Sequence, residues 1–197
     1  MGEGRDAGGA GRADRLLIVN ADDYALTEGV SRAVLAAARD GIVTSTSVLA
    51  VGPAFDGTAS WLVDVGLGTG AHLAAVGEDP PILTAREIPT LVDRRGAFNR
   101  SWRSLLTKVA AAATGHDEAG ALVGPRLVGA IDRLGAGPEP TAELATHPGE
   151  AGDPDLVRYR WGYAWADELE ALRSAEARAA VERNGFRLGT YADLVAP

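Results

Sequence analysis

Leu16–Val34 reads LLIVNADDYALTEGVSRAV: an apolar run, two adjacent carboxylates, then the pattern of a helix. Leu16–Asn20 is short and apolar, which suits a strand buried on both faces. Thr27 is the predicted N-cap, and Glu28 sits favourably in the first turn. Val30, Ala33, Val34, Ala37 and Ala38 recur at i, i+3, i+4, i+7 and i+8, the apolar stripe of a helix. Gly41 stands where a helix-ending glycine belongs. Thr44–Val51 (TSTSVLAV) is rich in β-branched residues and reads as the next strand. Strand, helix and strand in this order predict a βαβ unit with a parallel sheet.

The alternation continues. The pattern predicts a helix over Phe55–Val65, a strand over Gly68–Leu73 (GTGAHL), and helices over Ser101–Ala113 and Val123–Leu134, the latter with Pro125 in its first turn. Glu143–Thr146 reads as a short strand ending at His147-Pro148-Gly149. Glu168–Arg183 is a helix broken near Ser174, and Phe186–Tyr191 a last strand. The fold class is therefore α/β with a mostly parallel sheet, but about five strands are too few for a complete (β/α) barrel.

With 197 residues the chain suits a single domain, read as 15–197, and can bury a sizeable core. Residues 1–14, rich in Gly, Arg and Asp, lack the apolar centre of a signal peptide. They read as a disordered tail on a cytoplasmic protein. No apolar run reaches the roughly 18 residues that span a bilayer. The absence of cysteine excludes disulfides, thiolate metal sites and cysteine catalysis. A net charge of −8 argues against a general nucleic-acid binder.

Functional residues of parallel α/β proteins gather at the carboxyl ends of strands. Asp22-Asp23, His72 and His147 all fall at such ends. If the chain turns there, two adjacent carboxylates can face one pocket, one holding a metal ion and the other acting as a base. The plainer reading makes the acidic pair a capping turn, His72 a partly buried core histidine and His147 part of a common turn. His116, in the polar stretch ATGHDEAG, reads as solvated. The aromatic segment Tyr159–Trp165 (YRWGYAW) suits either a packing ridge or the wall of a sugar site.

LLIVNADDYALTEGV, GIVTSTSVLAVGPAF, GAHLAAVGEDPPIL, IPTLVDRRGAF and ELATHPGE, in this order, resemble the YdjC-like (ChbG/HpnK) carbohydrate deacetylases. So do the later RYRWGYAWADELEAL and GFRLGTYADL. The resemblance implies a distorted (β/α) barrel that removes acetyl groups from N-acetylated sugars, using a divalent metal, magnesium or zinc, on an Asp-His-His set. Carried onto this sequence, it implies that Asp23 and His72 are metal ligands, that Asp22 is the general base, and that His147 acts as an acid or orients the leaving amine. Two features depart from the family. Ala25 replaces the usual glycine, expected to be a minor change. Pro140-Thr141 runs straight into Ala142-Glu143-Leu144, where the family has a segment carrying the third histidine ligand. This predicts an open, incomplete (β/α) barrel-like fold, a weakly held metal and a possible homodimer. Three functions stay open: a metal-dependent deacetylase, a degenerate member that binds a sugar or partner without turnover, and a structural protein whose acidic pair only caps a helix.

Overall fold

The opening apolar run forms β1 (Arg15–Tyr24), longer at both ends than predicted, in a computed structural model that describes residues 15–74, 77, 79–81, 83–89, 91–98 and 120–194. The tail 1–14, the helix predicted over Ser101–Ala113, and His116 lie outside the described residues. Leu17, Val19 and Ala21 join the main hydrophobic core, while Leu16 and Ile18 are buried on the opposite face of β1. Burial on both faces is what the unbroken apolar run requires.

Helix α1 (Glu28–Asp40) starts where predicted, with Thr27 Oγ1 accepting the Val30 N–H at 3.0 Å. Its stripe of Val30, Ala33, Val34 and Ala37 is fully buried. Each valine there contributes roughly 1.5–3 kcal/mol of apolar burial. Gly41 ends the helix for a different reason from the one expected. Its φ is −129°, so it is not a left-handed cap. Instead a Cβ at Gly41 would lie 2.6 Å from both Ala37 O and Leu172 O. Glycine is needed because two backbone segments pass too closely for a side chain. Gly41→Ala is therefore expected to destabilise the fold by about 1–3 kcal/mol, read as a lower denaturant midpoint with an unchanged m-value.

The chain continues through β2 (Ser45–Val48), a helical turn α2 (Phe55–Thr58) extended by a 3-10 turn (Ala59–Leu62), and β3 (Gly68–Ala71). The predicted helix over Phe55–Val65 is thus cut short. Gly57 and the β-branched Val63 and Val65 weaken it, and Asp64 turns the chain at φ 60°. Helix α3 (Pro125–Ala136) leads into β4 (Thr141–Thr146). The Arg15 guanidinium holds this junction, donating to the carbonyls of Leu134 at 2.9 Å, Gly135 at 2.7 Å and Gly137 at 3.1 Å. Helices α4 (Trp165–Arg173) and α5 (Ala175–Arg183) break at Ser174, whose Oγ accepts the Ala177 N–H and caps α5. The last strand, β5 (Phe186–Leu188), stops before the predicted Tyr191 because Asp193 captures the Thr190 N–H at 2.7 Å and starts a 3-10 turn.

All five strands pair in parallel, in the order β3-β2-β1-β4, with β5 also on β1. Gly189 N–H donates to Leu17 O and Thr44 N–H to Val19 O. β5 and β2 therefore share one edge of β1, and β4 takes the other. The outer edges of β3 and β4 do not meet among the described residues, so the barrel is open. Parallel pairing brings the carboxyl ends of β1, β2, β3 and β4 to one side of the sheet. Among the described residues, no helix is long and apolar enough to cross a membrane.

Candidate active site

The end of β1 explains the adjacent carboxylates. Strand alternation would point Asp22 and Asp23 to opposite faces. However, the β1–β2 register slips between Ala21 and Tyr24, and Asp23 adopts a left-handed φ of 65°. Such an irregularity re-aims side chains, and here both carboxylates reach His72. Ala25 is also left-handed, with φ 73°. Its replacement of glycine is therefore not minor, because an L-residue there carries about 1–2 kcal/mol of backbone strain. The Ala54 N–H bond to Ala25 O at 3.0 Å helps hold that geometry.

His72 follows β3 and is anchored by its own N–H to Val48 O at 2.9 Å. Its Nε2 lies 3.6 Å from Asp23 Oδ1, and its Nδ1 lies 3.7 Å from Asp22 Oδ1. His147 follows β4, with Nε2 3.8 Å from Asp22 Oδ2. The structure thus brings Asp22, Asp23, His72 and His147 together. Asp22 caps nothing: its Oδ1 accepts from Asn20 Nδ2 at 2.6 Å and from Ser47 Oγ at 2.5 Å, while Thr27 caps α1.

The two carboxylates are pushed apart in acidity. Burial raises Asp22, but the nearby His72, the Ser47 hydroxyl and the His147 ring outweigh it and hold the group below its usual range. Asp23 is raised to about 6, chiefly by burial, with His72 opposing and Asp22 adding to the rise. His72 is raised above its ordinary value by its partner Asp22, against burial, with Asp23 helping. One ionised carboxylate beside a more basic, more buried one is a division of labour typical of hydrolytic sites.

Asp23 Oδ1 and His72 Nε2 are separated by about the span of two ligands each roughly 2.1 Å from one ion. These two residues fit a divalent cation as a pair. Among the described residues, no group of three His, Cys, Asp or Glu side chains could hold a metal. No described part of the chain thus supplies the third ligand that the resemblance implies.

Residues 16–116, half of the chain, match the sequence profile of YdjC-like proteins. The chain belongs to the YdjC-like protein family. A carbohydrate deacetylase from Thermoanaerobacter pseudethanolicus is 36% identical over 90 residues, 45% of this chain and 35% of that protein. A chitooligosaccharide deacetylase from Citrobacter koseri is 47% identical over 60 residues, 30% of this chain and 24% of that protein. These matches span about a third or less of the curated relatives' length. A crystal structure of an Enterococcus faecalis protein, a candidate for cellobiose-phosphate cleavage, superposes with a TM-score of 0.75 at 21% identity. It covers 93% of this chain and 100% of that one, and shows the same fold.

Two polar residues of this YdjC-like chain escaped the sequence reading. Ser47 lies between Asp22 and His72, with Oγ 2.8 Å from His72 Nδ1. Its only signal is position: it is the last outward-alternating hydroxyl of β2 before the strand ends. Glu168 is fully buried in the first turn of α4. Its Oε1 accepts the His147 N–H at 2.8 Å, and its Oε2 has no hydrogen-bond partner among the described residues. A signal for it was present, because Trp165, Glu168, Leu169 and Leu172 fall at i, i+3, i+4 and i+7, placing a carboxyl on the apolar stripe. Burial raises Glu168 to about 7, with the backbone N–H groups of His147 and Leu122 opposing.

The aromatic segment both packs and walls the site. Tyr159 and Trp165 are buried, Trp161 and Tyr163 half-buried. Tyr163 meets the His147 ring edge-on, with centroids 4.9 Å apart, and stacks toward Trp165 at 5.0 Å. Tyr159 OH donates to Asp79 Oδ2 at 2.9 Å, tying this segment to the loop after His72. Gly120 closes against it with φ 66°, where a Cβ would sit 2.1 Å from Tyr163 Cγ. Its N–H donates to His147 Nδ1 at 3.3 Å. That bond assigns the neutral ring's hydrogen to Nε2, the nitrogen turned toward Asp22.

Proposed function

We propose that this site is that of a carbohydrate N-deacetylase, hydrolysing the acetamide of an N-acetylated amino sugar or oligosaccharide. One observation carries the reading: the ionised Asp22 has Oδ1 occupied by Asn20 and Ser47, and presents Oδ2 toward His147. The names of the relatives, carbohydrate and chitooligosaccharide deacetylases, support the choice of substrate. Asp23 and His72 would hold a divalent ion, magnesium or zinc. When bound, it would polarise the amide carbonyl and make water more acidic.

The chain's own groups perform the proton transfers. Asp22 Oδ2 accepts a proton from a water whose oxygen adds to the acetamide carbon. As the C–N bond breaks, Asp22 returns that proton to the amine nitrogen, leaving a free amino sugar and acetic acid, which gives up its remaining proton to water as acetate. His147 Nε2–H, fixed by Gly120 on its other nitrogen, is placed to orient the leaving amine by donating a hydrogen bond. Of the aromatic segment beside His147, the half-buried Trp161 and Tyr163 are the rings that would offer a face to a sugar.

The pair of metal-holding residues, two where catalytic zinc sites commonly use three, favours a second reading: a member that binds its sugar with weak or no turnover. Zinc titration of the purified chain, combined with acetate release from N-acetylated chitooligosaccharides, separates the two. Metal-dependent acetate release supports the deacetylase. Sugar binding without release supports the second reading. Zinc affinity is expected to be weaker than about 1 µM, and tighter binding with brisk turnover would overturn the two-ligand account.

A further inference from the structure

We propose that Ser47 is a positioning residue that locks the His72 imidazole in its Nδ1–H tautomer and joins it to Asp22. A serine hydroxyl carries one hydrogen. Asp22 Oδ1 already accepts from the Asn20 amide at 2.6 Å and so carries no hydrogen of its own, and at 2.5 Å the Ser47 hydrogen goes to that oxygen. The Ser47 lone pairs then face His72 Nδ1 at 2.8 Å. Two lone pairs at that distance repel, so Nδ1 carries the ring hydrogen and donates to Ser47. In the neutral ring the bare nitrogen is therefore Nε2, which lies 3.6 Å from Asp23 Oδ1.

Ser47 thus does two things with one hydroxyl. It turns the His72 lone pair toward Asp23, where a cation would be shared. It also completes the holding of Asp22 Oδ1 together with Asn20, so that Oδ2 alone is left toward His147. The tautomer is independent of any activity. The consequence for a cation rests on the hydrolytic reading above, and the test keeps the two apart.

The chain has three histidines, which makes their ring nitrogens assignable by two-bond proton–nitrogen correlation in metal-free, full-length protein. The spectra are recorded on the high-pH plateau, where the ring-nitrogen shifts no longer change with pH and each ring is neutral. In the wild type, His72 Nδ1 is expected to show the shift of a protonated nitrogen and Nε2 that of a bare one. Ser47→Ala is expected to give a mixed or inverted pattern, and Ser47→Thr, which keeps the hydroxyl, to restore it. Zinc titration by calorimetry is expected to show Ser47→Ala binding about 10-fold or more weakly than wild type. A wild-type His72 with its hydrogen on Nε2 would overturn the proposal even if no variant folded. So would a Ser47→Ala spectrum identical to the wild type, or equal zinc affinity in the two proteins. A tautomer that responds to Ser47 in a chain that releases no acetate would support the positioning role and count against the deacetylase.

Discussion

Asp22→Asn is expected to lower acetate release from an N-acetylated sugar by about 10²–10⁴-fold, the usual worth of a general base. The fold should survive the change. Thr27, not Asp22, caps α1, and an asparagine oxygen can still accept from Asn20 and Ser47. What is lost is the basic Oδ2 that faces His147. Zinc affinity should change little, because Asp23 and His72 form the facing pair. Turnover, zinc titration and thermal unfolding on the same preparation check the three expectations. Turnover near the wild-type rate would remove Asp22 from the role of base.

Glu168→Gln is expected to flatten the pH dependence of stability. The Glu168 carboxyl moves from an ordinary 4.5 to about 7 on folding, so between those values the folded state binds more protons than the unfolded one. The contribution of this group is then fullest below about pH 4.5, is lost as pH rises through 7, and amounts to about 3 kcal/mol. Asp23, raised from 3.8 to about 6, has the same sign over a lower window and is present in both proteins. Subtracting the variant's urea-unfolding profile from the wild type's isolates Glu168. The glutamine loses the charge cost above pH 7 and keeps an acceptor for the His147 N–H. Two parallel profiles between pH 5 and 8 would show that Glu168 does not titrate in this window.

How much of the site was legible depended on the kind of information each residue needs. The proximity of Asp22, Asp23, His72 and His147 is legible because parallel strands place their carboxyl ends together however far apart they lie in sequence. Thr27 as cap and Ser174 as break followed from local capping chemistry. Gly41 is legible as a helix-ending glycine but its physical reason is not, since nothing local reveals that Leu172 passes beside it. The helical spacing of Glu168 marks it as buried, but a carboxyl on a helix more often faces solvent, so the spacing alone does not single it out. Ser47 gave almost no signal, as one of four hydroxyls in TSTS.

By itself the sequence determined the order of strands and helices, the parallel sheet and the side of the sheet where Asp22, Asp23, His72 and His147 gather. These follow from periods of two and 3.6 residues and from caps a few residues long, all written along the chain. Only the tertiary structure decided which way Asp23 points, which oxygen of Asp22 is left free, which nitrogen of His72 is bare, and that β5 shares an edge of β1 with β2. Those depend on a register slip, a left-handed backbone turn and hydrogen bonds between groups as many as 126 residues apart, as between Thr27 and Asp153. Such contacts are set by distance and angle in three dimensions. A hydrogen bond changes from made to unmade over a few tenths of an ångström, far finer than any pattern of residue types can specify.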